Sequence, residues 1–165
     1  MRVVTRRGAV LFAAATLAGC GFQLRRAPEL HFRTIQLAGF KPRSPLADEL
    51  RSNINASTTT QVVEGLAQAQ VVLEALDDVR EKVVVASGAV GQVTEFQLRT
   101  RFNFRLKSVS GRELIPRTEI LLNRDMSYTE RAALGKEQEE NFLYRTMQSD
   151  IVSQVMRRLA SIQTF

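Results

Sequence analysis

The sequence predicts an α/β (α+β) two-layer sandwich, with two helices packed on a mostly antiparallel or mixed sheet of about four strands. Three observations predict it. The segment EFQLRTRFNFRLK, residues 95–107, alternates apolar and polar side chains, which is the period of a strand with one buried face. Two segments, one opening at Pro45 and one near the C-terminus, repeat apolar residues at helical spacing, one stripe each. The elements follow one another as strand, helix, three strands, helix, so two one-sided helices can cover one face of a single sheet and leave the other open.

Phe32 to Gly39 alternates and predicts the first strand. Gly39, Pro42 and Pro45 mark a loop. Ser44 is placed to cap a helix whose first position is Pro45, a favoured site for proline. Leu46, Leu50 and Ile54 form its stripe, and Asp48 and Glu49 sit in the first turn, where the helix dipole favours acids. Ala69 to Leu76 and Lys82 to Ser87 read as strand, either two pieces or one long strand bent at the charged residues 77–81. Gly88 to Gly91 is a turn. In the alternating segment Phe96, Leu98, Phe102, Phe104 and Leu106 share one face; Gln97, Arg99, Arg101, Asn103, Arg105 and Lys107 share the other. Ser108 to Gly111 turns the chain into a further strand, Glu113 to Asp125, with Pro116 as an irregularity or edge position. The last helix, about Lys136 to Ile162, carries Leu143, Met147, Ile151, Val155, Leu159 and Ile162 in one stripe, widened by Val152 and Met156. Its glutamates lie at the N-terminal end and Arg157 and Arg158 at the C-terminal end, both complementing the dipole.

Ahead of this domain, Arg2, Arg6 and Arg7 precede an apolar, alanine-rich run from Gly8 to Leu17 and then small residues. That is the three-part pattern of an export signal. The run is too short for the roughly 20 residues of a membrane-spanning helix. Leu17-Ala18-Gly19-Cys20 resembles the lipobox of bacterial lipoproteins. The resemblance implies that the Cys20 thiol takes a diacylglycerol, that cleavage leaves it as the new N-terminus, and that the protein is tethered to outer-membrane lipid through its acyl chains. Each buried methylene contributes about 0.8 kcal/mol, so one chain anchors marginally and two or three anchor stably. Gly21, where that class carries Asp to stay in the inner membrane, implies export to the outer membrane. The expected organisation is signal peptide 1–19, lipidated tether 20–30 and folded domain 31–165.

Cys20 is the only cysteine, which leaves the mature domain without a disulfide or thiol chemistry. Removing residues 1–19 takes three arginines from a net charge of +6, leaving a mildly basic +3. That balance allows an anionic partner without demanding one. His31 is the only histidine, and no nucleophile elbow, glycine-rich phosphate loop or metal-ligand spacing is present. Asp77-Asp78 is an adjacent pair, and neighbours in a strand point to opposite faces; such a pair is usually a solvated strand end. The expectation is a protein that is not an enzyme and uses no cofactor. Arg99, Arg101, Arg105 and Lys107 on one strand face are either a solvated outer face or a contact for an anionic partner, since arginine pairs bidentately with phosphate. A nucleic acid is not expected. The aromatics share the apolar face instead of joining the cations.

Several stretches in series, LAGCGFQLR, GQVTEFQLRTRFNFRL, GRELI, RDMSY and KEQEENFLYRTMQSDIVSQVMRRL, resemble the LptE (RlpB) family of lipopolysaccharide-assembly lipoproteins in order and spacing over nearly the whole mature chain. The resemblance implies two helices on a four-stranded sheet. It implies a plug in the lumen of an LptD-type outer-membrane β-barrel that assists the barrel's assembly and binds lipopolysaccharide for delivery to the cell surface. It implies a lipopolysaccharide-binding role for Lys136, which matches a family cation just before the terminal helix. The family's second cation falls in the turn 88–91, where this chain has Gly-Ala-Val-Gly. Arg99, Arg101, Arg105 and Lys107 are the candidate substitutes. The alternative is a stand-alone periplasmic lipoprotein that binds lipid or envelope components without a barrel.

Overall fold

The computed structural model describes residues 29–163. The expected signal peptide, Cys20 and residues 20–28 of the expected tether lie outside the described residues. The element order is β1 (Thr34–Ala38), α1 (Pro45–Asn55), β2 (Gln61–Val63), β3 (Val71–Ser87), β4 (Val93–Ser108), β5 (Glu113–Ser127) and α2 (Ala133–Ala160). Short 3-10 turns at Leu66–Gln68 and Glu130–Ala132 join β2 to β3 and β5 to α2.

The expected α+β sandwich is the observed fold, with five strands where about four were expected, in the order β2-β1-β3-β4-β5. The extra strand, β2, is three residues long, too short to show a period. β1 runs parallel to β2 and β3, while β3, β4 and β5 form an antiparallel meander. β3 is one long strand. It takes up the charged stretch through a register slip between Ala75 and Asp77, a bulge that turns Leu76 outward. α2 begins at Ala133, three residues before Lys136, and ends at Ala160. Leu30 and Phe32 are already buried, so the packed domain takes in the last residue of the expected tether.

Local chemistry explains the joints. Ser44 caps α1 by accepting a hydrogen bond from Ala47 N, and Pro45 occupies the first turn. β1 stops where Gly39 crosses β3 at φ 76°. A Cβ there would lie 2.2 Å from the Ala75 carbonyl oxygen, so only glycine fits. Ser44 N then donates to Lys41 O at 3.2 Å, closing a turn in which Arg43 takes φ 57°.

β1 pairs only with Val71–Glu74 of β3. Beyond that point the sheet narrows from five strands to three and continues as an arm. The main core lies under the wide end, where α1 and the C-terminal half of α2 pack Leu50, Ile54, Ile151 and Val155 on Ile35, Leu73, Phe102 and Phe104. A smaller core of Leu98, Met126 and Met147 lies under the arm, with Phe96, Leu143 and Tyr144 at its margin. Polar contacts hold α2 across both layers. Arg80 donates to Gln148 at 2.6 Å, and Gln148 donates to Glu49 of α1 at 2.6 Å. Lys82 pairs with Glu140 at 2.6 Å, and Arg124 with Asp150 at 3.2 Å. Both helices therefore cover the same sheet face.

Candidate functional site

The register places the alternating residues of β4 as their period predicts. Leu98, Thr100, Phe102, Phe104 and Leu106 are buried against the helices. Arg99, Arg101, Arg105 and Lys107 stand half-exposed on the open face. Asp77 and Asp78 diverge, Asp77 opposite Asn103 on the open face and Asp78 opposite Phe102 on the helix side.

The cations of β4 do not stand alone. β3 lays Glu74 and Asp77 alongside them. Arg105 Nε donates to Glu74 Oε2 at 2.6 Å, and Lys107 Nζ lies 3.8 Å from the same oxygen. Arg101 Nε is 3.4 Å from Asp77 Oδ2. That is close enough for attraction, but the pair is not aligned as a hydrogen bond. On the other side Gln97 is a relay: Arg99 Nε donates to Gln97 Oε1 at 2.8 Å, and Gln97 Nε2 donates to Asp125 of β5 at 2.9 Å. Arg99 forms no ion pair among the described residues. The hydrogen bond from Arg105 holds the Glu74 carboxyl below the usual carboxylate range, and the same bond raises Arg105. Burial pushes the Asp78 carboxyl up.

Arg99 and Arg101 share one shallow cleft of about 330 Å³ with Val79, Glu81, Leu121 and Asn123. Two guanidinium groups beside Val79 and Leu121 can meet a phosphate and an adjoining apolar chain together. Arg105 and Lys107 lie outside it, tied to Glu74. Lys136 is remote from this cleft, in the first turn of α2. Its Nζ donates to Glu139 at 2.7 Å and to Ser127 at 3.1 Å, and its side chain is only 18 % exposed. It fastens α2 to the end of β5. The five cations chosen from sequence thus fall into three places. The residues that sequence reasoning missed are Glu74, Asp77, Val79 and Leu121, whose approach to β4 depends on strand register. Among the described residues no cluster of three or more His, Cys, Asp and Glu side chains has metal-binding geometry.

The fold and the site define a class: a small α+β sandwich whose helices cover one sheet face while the other presents charged side chains and a shallow cleft. Residues 32–159 match the family model LptE, lipopolysaccharide-assembly, and the chain belongs to that family. Among solved structures it is similar to the uncharacterized lipoprotein B of Nitrosomonas europaea, at 30 % identity and a TM-score of 0.72, over 86 % of this chain and 91 % of that one. The rare lipoprotein B of Shewanella oneidensis shares the fold at 19 % identity and a TM-score of 0.66, over 78 % and 95 % of the two chains. A minor lipoprotein of Acinetobacter baumannii does so at 20 % identity and a TM-score of 0.64, over 80 % and 93 %. No curated protein matches the chain at a significant level.

Proposed function

We propose that this chain is a lipoprotein, held by acylated Cys20 at the periplasmic face of the outer membrane, that plugs an LptD-type β-barrel, assists the barrel's assembly and binds lipopolysaccharide. The observation that carries the reading is the family match over residues 32–159. The mechanism is binding and not catalysis. The acyl chains confine the domain to the membrane surface and raise its concentration at the barrel. The domain occupies the lumen and holds the barrel strands in a productive arrangement.

Within this reading the Arg99–Arg101 cleft receives a lipid A phosphate, and Val79 and Leu121 line the adjoining chain. Arg99 is the cation with least to lose, since only Gln97 engages it. Arg105 and Lys107 stay with Glu74 and keep that carboxylate from opposing an incoming anion. Lys136 would have to leave Glu139 to reach a phosphate, so its main work is positional.

The test compares lipopolysaccharide binding by Arg99→Gln/Arg101→Gln with that by Lys136→Gln. The double variant should lose about tenfold, equivalent to about 1.4 kcal/mol, and Lys136→Gln less than threefold. A larger loss from Lys136→Gln than from the pair would overturn the cleft assignment.

A further inference from the structure

The edge of the sheet changes at Gly39. β1 pairs with β3 only as far as Ala38 opposite Glu74. Gly39 then crosses β3 and leads the chain into the loop 40–44 ahead of α1. From Ala75 to Ser87, β3 runs on with β4 as its one strand partner among the described residues. The loop and the freed strand edge border a notch of about 410 Å³, which the proposed function does not use.

Three cations line the notch, Lys41 and Arg43 from the loop and Arg80 from β3. None of the three forms an ion pair among the described residues, in contrast to Arg101, Arg105 and Lys107 on the open face. Arg80 is held in place: it donates to Gln148 at 2.6 Å, and its guanidinium lies 5.5 Å from the Tyr144 ring centroid. Arg43 is exposed and takes φ 57°, a left-handed backbone that strains an arginine and would not strain glycine. Nothing in the packing of the domain calls for a cation there. Asp78 is the one carboxylate in the lining, and burial disfavours its charge. Ser44 and Pro45, at the N-terminal end of α1, also border the notch, so the helix adds a partial positive charge.

The backbone indicates which kind of anion fits. Lys41 Nζ donates to the Asp78 carbonyl oxygen at 3.2 Å. A backbone acceptor of β3 therefore faces the notch and is satisfied by a side chain, where a neighbouring strand would supply an N–H. An incoming extended chain can supply that N–H and release the Lys41 ammonium to a carboxylate. A lipid phosphate brings acceptor oxygens alone and has nothing to offer the carbonyl.

We propose that the notch is a docking site for an extended, acidic segment of a protein partner, laid along the edge of β3 with its carboxylates on Lys41, Arg43 and Arg80. The site joins strand addition to carboxylate–guanidinium pairing. The inference deepens the plug reading, on which it rests for the partner: it names where polypeptide of the surrounding barrel enters. It is independent of the arginine cleft, which takes the opposite-pointing residues Val79 and Glu81 of β3.

The test places the photocrosslinker p-benzoylphenylalanine at Pro42, which lines the notch without carrying charge, in the tagged, lipidated protein. The protein is irradiated in intact cells, and the crosslinked partner is mapped by mass spectrometry. The expected result is an adduct with one segment of a β-barrel protein that carries several Asp or Glu residues. Lys41→Glu/Arg43→Glu should cut its yield about tenfold or more, and changing the mapped carboxylates to lysine should restore it. Leu76, which the bulge turns outward just before Asp78, takes the crosslinker if the Pro42 variant does not fold. An adduct with lipopolysaccharide alone, an adduct whose yield ignores the charge reversal, or no adduct from either position would overturn the proposal. A mapped acidic segment from a protein that is not a β-barrel, with the same charge dependence, would uphold the notch and overturn the plug reading.

Discussion

Glu74 and Asp78 lie four residues apart on β3 and respond to acid in opposite ways. The folded Glu74 carboxyl sits below its unfolded value, chiefly through the Arg105 hydrogen bond. Its contribution to stability is present above about pH 4.3 and is lost as pH falls through the lowered folded pKa. Asp78 is raised by burial, so its charged form opposes folding at neutral pH and protonation relieves that opposition. Asp78→Asn should therefore stabilise the fold at pH 7, with the gain gone below about pH 3.9. Glu74→Gln should destabilise the fold slightly at pH 7, since the pair is partly exposed, and the cost should shrink as pH falls below about 4.3. Urea denaturation at the two extremes reads both signs. At Gly39 a methyl group would strike the Ala75 carbonyl, and Gly39→Ala should cost at least about 2 kcal/mol in the same assay. Arg43 holds a left-handed conformation without being glycine, and Arg43→Gly should be neutral or stabilising by up to about 1 kcal/mol. At this scale the sequence was legible wherever chemistry is local. Ser44, Pro45 and the β4 alternation announce their roles within a few residues. The partners of Arg101 and Arg105 come from β3, 24 and 31 positions earlier in sequence. Only the strand register, bulge included, brings them opposite.

Among the elements, the long meander is supported unequally. Its wide end, at Val71–Glu74, pairs with β1 and lies under two helices, while beyond Glu74 β3 has β4 as its one strand partner and the arm rests on the small cluster around Leu98, Met126 and Met147. Amide hydrogen exchange should therefore be faster along 83–87 and 93–97 than along 71–74 and 102–106, because opening the arm exposes less apolar surface. Uniform protection along β3 would contradict the division into wide end and arm. In the wide end, Leu50→Ala should cost about 2–5 kcal/mol, since Leu50 is fully buried between α1 and the sheet. The sequence anticipated both helices and the long strands because each repeats its period several times. It missed β2, which is too short to show one, and it placed the start of α2 three residues late because Gly135 masks the first turn.

For the whole molecule, the two layers leave one sheet face open and put the first described residues, at Leu30, and the hairpin between β3 and β4 at opposite ends. That layout suits a domain that makes contacts along its length, as a plug within a barrel does, better than one with a single enclosed site. The class of fold could be read from the order of strands and helices, and the family from motifs spread along the chain. Which cations share a cleft could not, because that depends on the packing of three strands. The most direct test of the central claim is an affinity pull-down of the tagged, lipidated protein from detergent-solubilised outer membranes. The account predicts one large β-barrel protein recovered in near-equal amount. Recovery of the lipoprotein with no barrel would contradict the plug reading and leave a free lipid-binding lipoprotein in its place.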